Sequence, residues 1–87
     1  MRISVEISYY PLQEEYIPAI LSFVDRLKEY PKLQIDGNGM STHVFGDYSE
    51  VMEVLTREIK KSFDIPHSVF ILKIINSDLH IYPPSHE

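Results

Sequence analysis

The sequence predicts an α+β sandwich in which four antiparallel strands form one sheet and two helices cover one of its faces. Apolar and polar residues alternate at the start of the chain, which is the period of a strand with one buried face. Two later segments carry apolar residues at helical spacing, and short β-type segments separate and follow them. The chain has 87 residues and forms a single domain, since it is too short to divide into two cores.

The first predicted element is a strand over residues 2–10, which Pro11 ends because proline has no amide hydrogen to donate. Its two faces differ in polarity. One face carries Ile3, Val5, Ile7 and Tyr9. The other carries Ser4, Glu6, Ser8 and Tyr10. The first set is expected to face the helices, and the second set the open side of the sheet.

A helix follows, from about Glu14 to Tyr30, with Pro18 tolerated in its first turn. Its apolar stripe is predicted to contain Ile17, Ile20, Leu21, Val24 and Leu27. Residues 33–38 predict the second strand. The glycines on either side of Asn38 predict a tight turn in which left-handed backbone is tolerated.

The second half of the chain repeats this pattern. Residues 41–46 predict a strand, and Asp47 with Glu50 resembles a capping box at the start of the second helix. The inner stripe of that helix is predicted to be Tyr48, Val51, Met52, Leu55, Ile59 and Phe63. Residues 69–75 predict the last strand, and residues 79–87 a tail. The resulting βαββαβ order is most simply closed as a ferredoxin-like sandwich.

The last predicted strand is apolar on both faces. Phe70, Leu72 and Ile74 lie on one face, and Val69, Ile71 and Ile75 lie on the other. Helices cover only one face of a two-layer sheet, so something else is expected to cover the second. Local cover would come from the tail residues Leu79, Ile81 and Tyr82. The alternative, which we favour, is contact with another copy in a homodimer or homotetramer.

Composition excludes several classes of function. A net charge of −5 argues against nucleic-acid binding, which normally needs a basic surface. The absence of cysteine excludes disulfides and thiol chemistry, and the four histidines lack metal-ligand spacing. No signal peptide or membrane-spanning run is recognisable, so we expect a cytoplasmic protein without a membrane partner. No nucleophile–base pair is evident either, which predicts a protein that is not an enzyme.

Two polar steps at strand ends predict a binding site. Ser41 and Thr42 follow a Gly-Met turn and offer adjacent hydroxyls for hydrogen bonding, although both residues are also common at ordinary strand starts. Met40 is suited to lie against a flat ring, or else to fill the core. Glu6 on the open face would pair with a cationic or amino-bearing ligand, unless it is a solvated surface residue. Tyr10 would supply a stacking face.

Motifs at these positions resemble the thiamine-binding protein family, sometimes called the YkoF family. They are the acidic first strand ending in Tyr10-Pro11-Leu12, the step Gly39-Met40-Ser41-Thr42, and the helix start Gly46-Asp47-Tyr48-Ser49-Glu50-Val51. The resemblance runs from Ile3 to about Ile75.

This resemblance implies a ferredoxin-like fold, assembly into dimers or tetramers through the sheets, and binding of thiamine or its hydroxymethylpyrimidine part without any other cofactor. The ligand residues that we predict from these strand ends are Glu6, Ser8, Tyr10, Met40, Ser41 and Thr42. The competing interpretation is a structural or regulatory module whose open sheet face binds a protein and no small molecule.

Overall fold

A computed structural model describes residues 1–81 and contains the predicted βαββαβ order. The strands are β1 (Arg2–Pro11), β2 (Gln34–Gly37), β3 (Thr42–Asp47) and β4 (Ser68–Ile75). The helices are α1 (Tyr16–Lys28) and α2 (Tyr48–Ser62), and a short 3₁₀ turn (Leu79–Ile81) follows β4. The strands form one antiparallel sheet in the order β2-β3-β1-β4, which confirms the ferredoxin-like α+β prediction.

The core lies between the sheet and the helices. The inward residues of β1, Ile3, Val5 and Ile7, are almost fully buried, as the alternation predicts. Tyr9 continues this row and stacks on Phe70 of β4, with ring centroids 4.2 Å apart and planes 7° from parallel. Both rings also meet Phe23 of α1 edge-on, so this end of the core is an aromatic cluster.

The predicted apolar stripes are partly wrong, because each helix is rotated relative to the expectation. In α1, Phe23 and Leu27 are buried, while Ile17 and Leu21 are exposed. In α2, Tyr48 and Phe63 are exposed. Val51 and Leu55 are buried as predicted, and Val54, Glu58 and Ser62 complete the buried face of α2. The docking of each helix on the sheet therefore decides which of several apolar positions is buried.

Two predicted local features are also absent, namely the capping box of α2 and the left-handed glycine of the β2–β3 turn. Asp47 is the N-cap of α2, but its side chain makes no capping hydrogen bond, and Glu50 pairs with Lys32 instead. Among the described residues no backbone has a positive φ, glycines included. The β2–β3 turn is held by Asn38, whose Oδ1 accepts the amides of Met40 and Ser41 at 2.7 and 3.1 Å. The side chain of Asn38 thus replaces the left-handed glycine that we expected.

Gly46 is required for a different reason, which is the close approach of β3 to its cover. A Cβ atom at this position would lie 2.8 Å from Leu33 Cδ2 and 3.1 Å from Val51 Cγ2. Leu33 and Val51 are both buried core residues, so a side chain here would push the start of α2 away from the sheet.

A buried carboxylate joins the two helices. The side chain of Glu58 on α2 is 1% exposed. Its Oε1 lies 2.7 Å from Arg26 Nε of α1, and its Oε2 accepts the Tyr30 hydroxyl at 2.6 Å and Lys61 Nζ at 3.4 Å. Burial raises the pKa of Glu58, but these hydrogen bonds outweigh it and hold the pKa below its ordinary value. The carboxylate is therefore ionised and fully partnered at neutral pH.

We expect Glu58→Gln to lower the free energy of unfolding at pH 7 by about 3–5 kcal/mol, because it leaves Arg26 without its partner charge. A depressed folded-state pKa gives stability that is present above the unfolded-state value of about 4.3 and is lost as the pH falls through the folded-state value. The difference between wild type and variant should therefore shrink below about pH 4. Urea unfolding of both proteins between pH 3 and pH 7 measures this difference in the free energy of unfolding.

The control for this experiment is Glu53→Gln, which removes an exposed carboxylate that pairs with Arg57 on the same helix. Its stability should match wild type, since exposed pairs contribute little. An unfolding difference for Glu58→Gln that stays constant from pH 7 to pH 3 would contradict the role given to the ionised carboxylate.

Candidate functional site

The open face of the sheet is organised in rows that run across the strands. In one row Glu6 of β1 lies between His43 of β3 and Lys73 of β4. In the next row Ser4 lies between Phe45 and Ile75. These rows follow from the antiparallel register, which places directly opposed residues on the same face.

Glu6 is the centre of the polar part of this face. Its Oε2 accepts the Ser41 hydroxyl at 3.2 Å and lies 3.7 Å from His43 Nε2, while its Oε1 lies 3.5 Å from Lys73 Nζ. Ser41 Oγ is also 3.1 Å from His43 Nε2. Glu6 is half-exposed, so an incoming ligand can reach its carboxylate.

A cavity of about 460 Å³ opens beside Glu6. Its polar lining includes Ser4, Glu6, His43 and Lys73. Its apolar lining includes Phe45, Ile74, Ile75 and Leu79. The volume falls within the range of about 300–1,000 Å³ that small-molecule sites occupy, and a mainly apolar wall with a few polar groups is their usual composition.

Only part of the predicted site belongs to this cluster. Glu6 and Ser41 are joined by a hydrogen bond, and Ser8 lies on the same face, opposite Ile71. Tyr10 also lies on the open face, but it is four residues beyond Glu6, which places it about 13 Å farther along the strand. The predicted residues thus follow β1 and are not gathered in one pocket.

Two predicted residues are placed differently. Thr42 is buried and pairs with Ile7, so it lies on the helix-covered side of the sheet and away from Glu6. Met40 lies in the β2–β3 turn with 88% of its surface exposed. The prediction that Ser41 and Thr42 act together on one ligand therefore does not fit the alternation of β3.

Sequence reasoning did not select His43, Lys73 or Phe45 for the site. His43 is two residues from Ser41, so strand alternation could have placed both on one face. Lys73 carried a signal as well, since it is the one charge in an otherwise apolar strand. Which of these residues face Glu6 depends on the strand register, and the sequence does not determine it.

The contact between Ser41 and His43 is not a catalytic triad. In such a triad the acid holds the imidazole nitrogen that faces away from the serine. Here Glu6 approaches the same Nε2 that Ser41 contacts, and it accepts the serine hydroxyl itself. In the described residues, no group of three or more metal-ligating side chains converges, and no helix is long and apolar enough to cross a bilayer.

Solved structures from several organisms share this fold. A protein from Streptococcus pneumoniae matches with a TM-score of 0.82 and 16% identity, covering 94% of this chain and 93% of the other. A hypothetical protein from Methanocaldococcus jannascii matches with a TM-score of 0.76 and 22% identity, over 88% and 81% of the two chains.

A third structure, from Thermotoga maritima, is provisionally named a thiamine biosynthesis/salvage protein. It matches with a TM-score of 0.78 and 16% identity, covering 88% of this chain and 85% of the other. At these identities the three structures show a common fold alone.

Comparison at the sequence level gives a family. No curated protein matches the chain. The family model described as the YKOF-related family matches residues 2–81, which is almost the whole chain. This chain belongs to the YkoF-related family.

Proposed function

We propose that this protein binds thiamine or its hydroxymethylpyrimidine part without altering it chemically, and that it acts as a cytoplasmic homodimer or homotetramer. The observation that carries the proposal is the cavity beside Glu6 on the open face of the sheet. Family membership and the name given to the Thermotoga maritima protein support the choice of ligand.

The chemistry of the cavity suits an aminopyrimidine. Such a ring offers an amino donor and ring-nitrogen acceptors on one edge and flat apolar faces. The carboxylate of Glu6 accepts from the amino group, and the Ser41 hydroxyl is within reach of the same edge. Phe45, Ile75 and Leu79 supply apolar surface for the ring.

The thiazolium of thiamine adds a positive charge, and two side chains respond to it oppositely. Glu6 attracts the cation, whereas Lys73, 3.5 Å from Glu6, competes with it for the same carboxylate. Because hydroxymethylpyrimidine is neutral, comparing the affinities of the two ligands separates the effect of these charges from that of the pyrimidine contacts.

A protein-interaction module is the second candidate, and exposed apolar residues favour it. Tyr10, Val69 and Ile71 project from the open face at the end of the sheet away from the cavity, and each is 41–54% exposed. The same residues fit contact between two copies of this chain. Tyr82 of the tail, expected as local cover, lies outside the described residues.

Calorimetric titration with thiamine and with hydroxymethylpyrimidine tests the ligand. Wild type should bind thiamine with micromolar affinity. Glu6→Gln should weaken thiamine by about tenfold and weaken the neutral ligand less, because the charge is lost while the size is kept. Lys73→Met is the matched variant: it removes the competing cation and should strengthen thiamine without changing hydroxymethylpyrimidine.

Other outcomes of the same titrations identify which part of the ligand contacts Glu6. Equal weakening of both ligands in Glu6→Gln would mean that Glu6 binds the pyrimidine amine alone and that the thiazolium lies beyond its reach. If wild type binds neither ligand, the proposed ligand is wrong and the protein-interaction module takes its place.

Ile71→Asp tests the assembly. Ile71 is 54% exposed on the open face, so a charge there should convert a dimer or tetramer into monomers at micromolar concentration. Ile17→Asp, at a residue that is 56% exposed on α1, is the control and should leave the assembly intact. Sedimentation velocity distinguishes the two. A wild-type protein that is monomeric at every concentration would remove the basis for assembly through the sheet.

A further inference from the structure

Residues 77–80, which we call the C-terminal strap, fold back over the open face after β4 ends at Ile75. They cross the sheet from its β4 edge to its β2 edge. Asp78 Oδ2 lies 3.0 Å from Arg2 Nε of β1, and His80 Nε2 lies 3.4 Å from Asp36 Oδ2 of β2. The strap therefore contacts elements at both ends of its path.

The central attachment is Ser4. Its hydroxyl donates to the Ser77 carbonyl at 2.7 Å and accepts the Leu79 amide at 2.8 Å. One hydroxyl thus bonds the strap on both sides of Asp78, and both distances are those of well-formed hydrogen bonds. Asp78 is fixed in addition because its Oδ1 accepts the His80 amide at 3.1 Å.

Burial shows that the strap covers this part of the sheet. Ser4 and Phe45 point away from the helices, yet they are only 6% and 8% exposed. The ring of His80 lies 4.9 Å from the ring of Phe45, and the strap backbone bonds Ser4. By contrast Ile71, on the same face but beyond the strap, is largely exposed.

The strap also borders the cavity beside Glu6, since Leu79 is among its lining residues. We propose that the C-terminal strap forms one wall of the ligand site and contributes to ligand affinity, and that Ser4 is the positioning residue that fixes the strap there. The inference rests on the proposed binding of thiamine or hydroxymethylpyrimidine. In this arrangement Leu79 covers the apolar face of the ring, while Glu6 on the sheet accepts from the polar edge of the ring.

Thermodynamic linkage gives this assignment a specific consequence. If a closed strap improves ligand affinity, the ligand must favour the closed strap by the same factor. The Leu79 amide reports on closure directly, because it is protected from exchange only while it bonds Ser4. A wall that plays no part in binding would show no such coupling.

The test uses the full chain and measures hydrogen exchange at the residue 79 amide together with calorimetric thiamine affinity. In wild type, saturating thiamine should slow exchange at this amide. Ser4→Ala removes both strap bonds, so it should speed this exchange and weaken thiamine by about tenfold. Leu79→Ala keeps the amide that Ser4 bonds but removes the apolar wall. It should weaken thiamine while the amide stays protected.

The matched control is Ser49→Ala, an exposed serine of α2, which should change neither measurement. Thiamine that leaves exchange at the Leu79 amide unchanged, or full affinity in both Ser4→Ala and Leu79→Ala, would overturn the role of the strap and leave the proposed function standing. Failure of wild type to bind either ligand would overturn the proposed function, and the role of the strap with it.

Discussion

The structure depends on the two-sided pairing of β1. This strand has ten residues, and it pairs with β3 over Arg2–Ile7 and with β4 over Ser4–Pro11. Because its side chains alternate, the same segment supplies three almost fully buried core residues on one face and the polar residues Ser4 and Glu6 on the other. Core and candidate site are thus fixed together, and a shift of one residue would exchange them.

This alternation explains why so much of the fold could be read from the sequence. Element order and the two faces of β1 follow from the periodicity of the apolar residues. The phase of β3 is different, since Val44 and Phe45 are both apolar and each is suited to the core. The structure buries Val44 under the helices and Phe45 under the strap, which turns Thr42 inward and leaves His43 beside Glu6. Which residues of β3 face the helices is determined only by its pairing with β1.

The helices also contain positions whose burial the sequence does not determine. Ile17 and Leu21 have the spacing of a core stripe, but Phe23 is buried in their place because it completes the aromatic cluster with Tyr9 and Phe70. Glu58 is the clearest case. Nothing in its local sequence separates it from the exposed Glu53. Only the approach of Arg26 from α1 and of Tyr30 just after that helix makes a buried carboxylate acceptable there. Tertiary partners, and not local pattern, determine such positions.

Charge on the open face constrains what the site can recognise. Glu6, Asp36 and Asp78 each lie near a basic group of the chain itself, namely Lys73, His80 and Arg2. A cationic ligand therefore displaces an existing partner of Glu6 and gains only the difference between two interactions. A neutral flat ring under Leu79 needs to displace no charge, because a carboxylate has further acceptor positions for its amino group and the ring gains apolar contact. In the binding that we propose, the flat ring is therefore recognised by hydrogen bonding and apolar contact, and the positive charge adds only that difference.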